Sequence, residues 1–343
     1  MARVLQFERP LMDGVRQYVG DRVDALFYQS IDYVEFLAEL LGARNSTLVA
    51  IDENESVCGV LPMLSLEGRW GCIVNSLPFF GSNGGLLAEP GMHGLLVDRY
   101  NAVALSNETA ACTLIESPLL PAEGARIAHN QTDKRIGQFT PIRFSDAHEE
   151  RILTQCHHKT RNMIRKAQKC GIEVTVSNSE IEFLRATHRE NIAALGGPPK
   201  PDAFFDLLPR RFVADRDYRI YVARREGTPV AALLLFYFSR TVEYYMPVIR
   251  KEFRELQPMS LLVYGAMSDA SRQGYWWWNW GGTWHNQDGV YRFKSRWGTV
   301  DREYTYYVQL NRPEIAGYDR QSILDAYPYF YVLPFGMLTS QAA

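Results

Sequence analysis

Apolar positions fall in short runs whose period changes along the chain, and the changes mark alternating helices and strands. Tyr33–Leu41 has apolar residues at helical spacing and stops before Gly42, which predicts a helix. Ser46–Ile51 and Val57–Leu64 read as strands joined by a hairpin connection at Asp52–Ser56. Leu77–Gly85 is a glycine-rich loop, His93–Leu105 a helix, Ala111–Glu116 a strand and Pro118–Pro121 a break. Asp133–Arg143 is extended, and Ser145 stands where it can cap one long helix running to about Cys170, with Gly171 as its stop. Beyond it come a strand at Ile172–Val176 and helices at Ile181–Leu195 and Ala203–Val213, with Gly196-Gly197-Pro198-Pro199 between them. Three strands follow, Arg219–Arg225, Val230–Phe238 and Val242–Pro247, the first two joined by a Glu226-Gly227 turn. Gln257–Gly274 is a helix, and Tyr275–Trp280 and Tyr304–Leu310 are strands. The order is that of a mixed α/β protein.

The pattern echoes itself. ENESVCGVLPML (Glu53–Leu64) and REGTPVAALLLF (Arg225–Phe236) are both a charged turn followed by an apolar strand, with a helix further on. Such an echo suggests two copies of one fold, against chance likeness over a dozen residues.

Composition narrows the class. With 343 residues, 46% of them hydrophobic and 22% charged, the chain has enough apolar surface for one large or two ordinary domains. A net charge of −2 gives no global field for nucleic acid, so any such contact must be a local patch. The five cysteines are scattered without CxxC or zinc spacing, which fits reduced thiols in the cytoplasm and no metal. MARVLQFERPLMDG lacks the apolar core of a signal peptide, and no run reaches the ~20 apolar residues of a membrane span.

Two constellations carry chemistry. In GVYRFKSRWG (Gly289–Gly298), Arg292, Lys294 and Arg296 alternate with Phe293, Ser295 and Trp297. In an extended strand the three bases share one face, with aromatics behind them, a pattern suited to gripping an anion or polarising a carbonyl. An amphipathic strand with solvated bases is the plain alternative. Six of the seven tryptophans lie between Trp276 and Trp297, enough for a pocket wall or a dense local core. A polar loop runs from Thr283 to Asp288. The second constellation is HHKTRNMIRKAQKCG (His157–Gly171), with Lys159, Arg161, Arg165, Lys166 and Lys169 and no acid. On a helix, Arg161, Arg165 and Lys169 form one row; like charges at this spacing repel, which favours a bound phosphate or polyanion. The alternative is pairing with acids elsewhere, such as Glu149 and Glu150.

These segments resemble those of the Fem-type (FemAB-like) proteins, the aminoacyltransferases of peptidoglycan cross-bridges together with polysaccharide-associated relatives. HHKTRNMIRKAQKCGIEV is similar to the family's K-x-R-x-x-I-R-K-A-x-K-x-G signature. EYYMPVIRKEFRELQPMSLLVYGAM resembles its strand–helix segment, and GYWWWNWGGTWHNQDGVYRFKSRWG its G-x-Y-x-F-K-x-x-F/W-G block. RENIAALGGPPKPDAFFDLL and LPMLSLEGR…LPFFGSNGGLLAE resemble further segments in the same order, over most of the chain. The resemblance implies α/β (α+β) architecture with two tandem GNAT-like domains, each a mixed central sheet flanked by helices, without a coiled-coil arm. The expected domains are 1–145, completed by 315–343, and 146–314, with Tyr318–Gly336 returning to the first.

The resemblance also implies acyl transfer onto an amine of a nucleotide- or lipid-linked cell-envelope precursor. The acyl group would come from aminoacyl-tRNA, or alternatively from acyl-CoA in amino-sugar or exopolysaccharide modification. Either is a co-substrate, with no permanently bound cofactor. A non-catalytic FemAB-like binding protein is the third reading. Transient tRNA contact and peripheral membrane association fit; DNA and an integral membrane segment do not. Lys294 is the expected catalytic residue. Lys159, Arg161, Arg165, Tyr244, Tyr245, Trp284, Arg292 and Phe293 are expected around the substrates, and Glu243 and Asp288 as a proton relay. Two departures stand out. Asn279 occupies a position where the family commonly has Asp, and FRELQPMSLL lacks the glycines of a pyrophosphate-cradling loop, which favours aminoacyl-tRNA over acyl-CoA.

Overall fold

A computed structural model describes residues 2–79, 84–120, 126–285, 287–334, 336 and 338. Parts of the expected 77–85 loop, the 118–121 break, the 283–288 loop and the 318–336 segment lie outside the described residues. The chain divides into two compact units, Met1–Ile136 with Glu303–Ala343, and Gly137–Arg302. Both divisions fall inside strands, ahead of the positions 145 and 315 that the family resemblance implies.

Unit 1 opens with β1 (Arg3–Gln6), α1 (Met12–Gly20), α2 (Ile31–Leu41), β2 (Arg44–Asn45), β3 (Leu48–Ile51), β4 (Val57–Leu61), β5 (Leu64–Gly68) and β6 (Gly71–Asn75). It continues with β7 (Leu87–Ala88), α3 (His93–Ala104), β8 (Thr109–Ile115) and the first part of β9 (Gln131–Pro141). Gly42 stops α2 in the left-handed conformation, φ 61°. The expected strand 57–64 is two strands, because Pro62 has no N–H for a ladder. One sheet has the order β1-β3-β4-β7. In another stretch β8 lies parallel to β6, which continues antiparallel to β5 and β2. Leu96, Val97 and Tyr100 of α3 pack with Leu48, Leu61, Val74 and Leu114 in the core of this unit.

Unit 2 holds α4 (His148–Gln155), α5 (His158–Lys169), β10 (Ile172–Val176), α6 (Ile181–Ala193), α7 (Asp202–Arg211) and β11 (Tyr218–Arg225). After these come β12 (Thr228–Phe238), β13 (Thr241–Ile249), α8 (Pro258–Arg272), β14 (Trp277–Trp284) and α9 (Asp288–Ser295). β15 (Val300–Leu310) leads back to unit 1, which ends with α10 (Arg320–Ala326). The sheet order is β10-β11-β12-β13-β14, antiparallel except for the last, parallel pair. Glu226 and Gly227 both have positive φ (51° and 77°), the conformation a two-residue hairpin requires. Both echoed segments are antiparallel hairpins, β3–β4 and β11–β12. The longest helix among the described residues, α8, has 15 residues. Unit 2's core gathers Ile164 and Ala167 of α5, Leu262 and Ala266 of α8, Leu233 and Leu235 of β12, and Trp278, Trp280 and Trp297.

The structure corrects two expectations about elements. Gly289–Gly298 is helix α9, not a strand, so Arg292, Lys294 and Arg296 do not form one cationic row. Helical spacing instead puts Phe293 and Trp297, four apart, against Trp280, with ring centroids 5.8 and 5.7 Å away. Asp288 in the first turn and Arg292 and Lys294 in the last suit the helix dipole. The long helix 145–170 is two helices. Cys156 (ψ 143°) and His157 (ψ 147°) are extended between them, and Ala147 rather than Ser145 begins α4. Burial of Cys156 and capping of α5 by His157, whose Nδ1 accepts from the Lys159 N–H at 3.3 Å, stabilise the break.

Candidate functional site

The site is built where β13 and β14 part. Their parallel pairing covers only Thr241–Trp277, Val242–Trp278 and Glu243–Asn279, although β13 runs on to Ile249 and β14 to Trp284. β13 also slips register opposite Leu234 and Leu235, which leaves Tyr245 as the extra, bulged residue. Diverging carboxyl ends of parallel strands open a crevice in which ligands of α/β sheets bind.

Lys294 reaches the far part of β14. Its Nζ donates to Thr283 Oγ1 at 2.8 Å and to the carbonyls of Gly282 and Gly281 at 3.2 and 3.4 Å. Thr283 in turn donates to Gln138 Oε1 at 3.1 Å, and Gln138 Nε2 to Thr299 Oγ1 at 3.5 Å. Lys294 is 6% exposed, and burial pulls its pKa down to about 8. All three acceptors are neutral oxygens. A buried ammonium held only by dipoles keeps its attraction for an incoming or developing negative charge.

At the branch point, Asn279 Nδ2 donates to Glu243 Oε2 at 2.7 Å, and both side chains are fully buried. Asp288 lies elsewhere in character: it is exposed at the start of α9 and pairs with Arg292 at 3.4 Å. Asp288 is thus exposed while Glu243 is fully buried. Arg292 is likewise exposed, while Phe293 packs on Trp280. Tyr244 packs on Trp280 (4.8 Å) and Trp278 (6.1 Å), and burial raises its pKa. Tyr245 instead stacks on Phe204 (5.8 Å) and meets Phe236 edge-on, because the bulge turns it to the α7 side. The two tyrosines are therefore not two walls of one pocket. Trp284 is half-buried at the end of β14 and accepts at its carbonyl from the Gln287 N–H. Trp278, Trp280 and Trp297 are core, so the tryptophan cluster is mostly packing.

The basic helix adjoins α9. The His157 N–H donates to the Arg296 carbonyl at 2.8 Å, and Thr160 Oγ1 to the same oxygen at 3.5 Å. Thr160, Ile164 and Ala167 face the core, which turns Lys159, Arg165, Lys166 and Lys169 to solvent. Arg161 leaves the expected row. Its Nη1 donates to the Cys156 carbonyl at 2.5 Å and to that of Leu153 at 3.4 Å, closing the end of α4. Of the acids offered as partners, Glu149 pairs with Arg272 instead.

Gln138 and Asn279's amide orientation had no signal in the pattern of apolar positions. Nor did Lys200, whose ammonium lies 4.8 Å from the Tyr245 ring centre and 5.4 Å from that of Phe204, and whose pKa burial lowers to about 7. No group of three metal-ligating side chains forms among the described residues.

Residues 154–295 match the acetyltransferase (GNAT) domain family model. No curated protein matches the chain in sequence. Among solved structures, FemX superposes with a TM-score of 0.69 at 14% identity, over 94% of this chain and 99% of that one. The C-terminal domain of a protein assigned as a lysylphosphatidylglycerol synthetase, from Agrobacterium fabrum, gives 0.57 at 13% identity, over 87% and 91%. L-PGS from Bacillus licheniformis gives 0.50 at 11%, over 82% and 93%. The chain thus shares its fold with FemX and with the lysylphosphatidylglycerol synthetase domain, and residues 154–295 carry the match to an acetyltransferase (GNAT) domain. No described helix is long and apolar enough to cross a membrane.

Proposed function

We propose that the protein transfers an amino-acid acyl group to an amine of a cell-envelope precursor, with aminoacyl-tRNA as donor. The observation that carries this reading is Lys294: a buried ammonium, bound only to neutral oxygens, at the open end of a strand pair. Amide formation from an ester needs a neutral amine, a positioned carbonyl and stabilisation of the oxyanion formed during attack. Lys294 supplies the last. The exposed bases of α5 stand beside α9 and suit phosphates of the donor or of a nucleotide-linked acceptor. The likeness to FemX and to a lysylphosphatidylglycerol synthetase, whose name specifies a lysyl group joined to a phospholipid, supports the aminoacyl donor and an envelope acceptor. A cytoplasmic location follows from the need for charged tRNA.

The acetyltransferase family model favours a second reading, acyl-CoA as donor and an amino sugar as acceptor. Against it stands the turn before α8: it has Gln257 at φ 60° and Pro258, which has no N–H, in place of glycines. Incubation with a panel of charged tRNAs and acyl-CoAs, followed by mass spectrometry of the acyl group released, distinguishes the donors. With the active donor, Lys294→Met is expected to lower transfer about 100- to 1000-fold, the scale of losing one oxyanion donor. A Lys294→Met protein with wild-type turnover would remove Lys294 from the mechanism.

A further inference from the structure

Unit 1 holds a cavity of about 280 Å³ whose lining residues all belong to that unit. Its floor is one face of β2, β5, β6 and β8, and the register of these strands sorts its polar groups into two rows. Arg44, Ser65 and Val74 are cross-strand neighbours in the first row, and Glu67, Cys72 and Thr109 in the second. Ser65 and Glu67 are two residues apart on β5, so the rows share a face and lie about 7 Å from each other. α3 forms the opposite wall with Arg99, Ala102 and Val103, which helical spacing brings to one side. The helix returns between two parallel strands, β6 and β8, so its C-terminal end stands over their first residues. There Thr109 Oγ1 donates to the Val103 carbonyl at 2.9 Å. Arg99, one turn earlier on α3, stands about 6 Å further along, toward the Arg44 row. The cavity is therefore polarised. Two arginines mark one end; Glu67, Glu108 and the negative end of the α3 dipole mark the other. Buried Leu48, Met63 and Val74 supply the apolar surface between.

The polar groups here are not satisfied by one another. Ser46 and Ser65 are 7% and 6% exposed, and their hydroxyls share a single hydrogen bond of 2.7 Å. Ser65 Oγ also accepts from Arg44 Nε at 3.3 Å. Two hydroxyl protons thus serve one bond, and the second has no acceptor among the described residues, although a buried O–H ordinarily finds one. Among the described residues, none of Arg44, Arg99, Glu67 and Glu108 is in an ion pair. Cys72 adds no nucleophile, because burial and the adjoining Glu67 push its thiol up to about 11 and keep it protonated. We propose that this cavity binds a free apolar α-amino acid as its zwitterion, carboxylate toward Arg44 and the serine pair, ammonium toward Glu67 and Glu108. The carboxylate supplies the acceptor that the second serine proton lacks and takes the Arg44 fork. The side chain lies on Leu48 and Met63. A simple anion would satisfy the first end and face two carboxylates at the second. The volume, just under the roughly 300 Å³ at which ligand pockets begin, suits one amino acid and not a nucleotide. None of these residues has a part in the acyl-transfer reading above, so the inference stands apart from it.

Titration calorimetry of the full chain with L-alanine, L-valine, L-leucine and L-methionine tests this without any acyl donor. At least one of them is expected to bind saturably, once per chain, and to raise the thermal midpoint by mass action. The methyl ester of that amino acid lacks the carboxylate and its α-keto acid lacks the ammonium, and each should bind at least about 10-fold more weakly. Arg44→Met and Glu67→Gln remove one end each at exposed positions. Each should weaken binding about 10- to 100-fold, the scale of one charge-assisted hydrogen bond. The ester and the keto acid are compared on the wild-type protein, so the test does not depend on either variant folding. Equal binding of the amino acid and its α-keto acid would reveal a plain anion site and overturn the proposal. Absence of binding by all four in the millimolar range would overturn it as well. Binding at full strength to folded Arg44→Met and Glu67→Gln would move the amino acid out of this cavity, with the same consequence. A donor panel without turnover would sink the acyl-transfer reading and leave the calorimetric result standing.

Discussion

Lys294 is the residue where burial and charge oppose each other most directly. Its pKa in the folded protein, about 8, lies below the ordinary lysine value of 10.5. Folding therefore disfavours the charged form, and the penalty is fully present below pH 8, where both folded and unfolded chains are protonated. Between about pH 8 and 10.5 the unfolded chain binds more protons than the folded one, so stability rises with pH in that window. The shift corresponds to about 3 kcal/mol, as an order of magnitude. Chemical denaturation across this range should show wild-type stability climbing relative to Lys294→Met, and equal slopes would mean that Lys294 is not desolvated. Catalysis should run the opposite way: transfer should fall above about pH 8 as the ammonium is lost, leaving an alkaline limb in kcat. At this scale the sequence was informative. Lys294 stood out among aromatics between two glycines, and Phe293 beside it is held by Trp280. What the spacing concealed was the support behind the neutral oxygen cage, because Gln138 and Thr299 come from distant segments and reach Lys294 only through Thr283.

Helices and strands were legible where the local signal was a breaker with one meaning. Gly171, Gly42 and the Glu226-Gly227 turn end or join elements as their positive φ values demand. The pattern misled at Gly289–Gly298 because alternating bases and aromatics satisfy a period of two as well as they satisfy Phe293–Trp297 packing four apart; tertiary contact with Trp280 decided it. It misled again at Cys156-His157, where no glycine or proline announces the break and the stabilising bond, His157 N–H to the Arg296 carbonyl, comes from α9. The break separates two kinds of base on what looked like one row. Arg161 closes the end of α4, so Arg161→Ala should lower the thermal midpoint, by a free energy of about 1 to 3 kcal/mol for losing a charged donor. Lys166→Ala with Lys169→Ala should leave the midpoint almost unchanged while weakening donor binding and flattening its salt dependence. A stable Arg161→Ala protein with poor donor binding would return Arg161 to the substrate.

Across the whole molecule, the last segment of the chain is structural material for unit 1. The Tyr327 hydroxyl donates to the Gly71 carbonyl at 2.8 Å and accepts from the Trp70 N–H at 3.1 Å, and Asn75 Nδ2 donates to the Tyr331 carbonyl at 2.9 Å. Tyr327 is fully buried, so Tyr327→Ala should cost about 3 to 5 kcal/mol. Six of the seven tryptophans belong to unit 2, which lets the two units be followed apart. In this variant, helical signal in circular dichroism should be lost in an early step while tryptophan fluorescence holds; simultaneous loss would mean that the units unfold as one. The same arrangement bears on biosynthesis. Unit 2 is one uninterrupted stretch, Gly137–Arg302, enclosed in sequence by the two parts of unit 1. On the ribosome the Lys294-bearing half emerges entire while the earlier-made half still lacks Tyr327 and the larger part of β15. The usual order of domain folding, amino-terminal first, is thereby reversed, and the first 136 residues wait, incomplete, for the last to be translated.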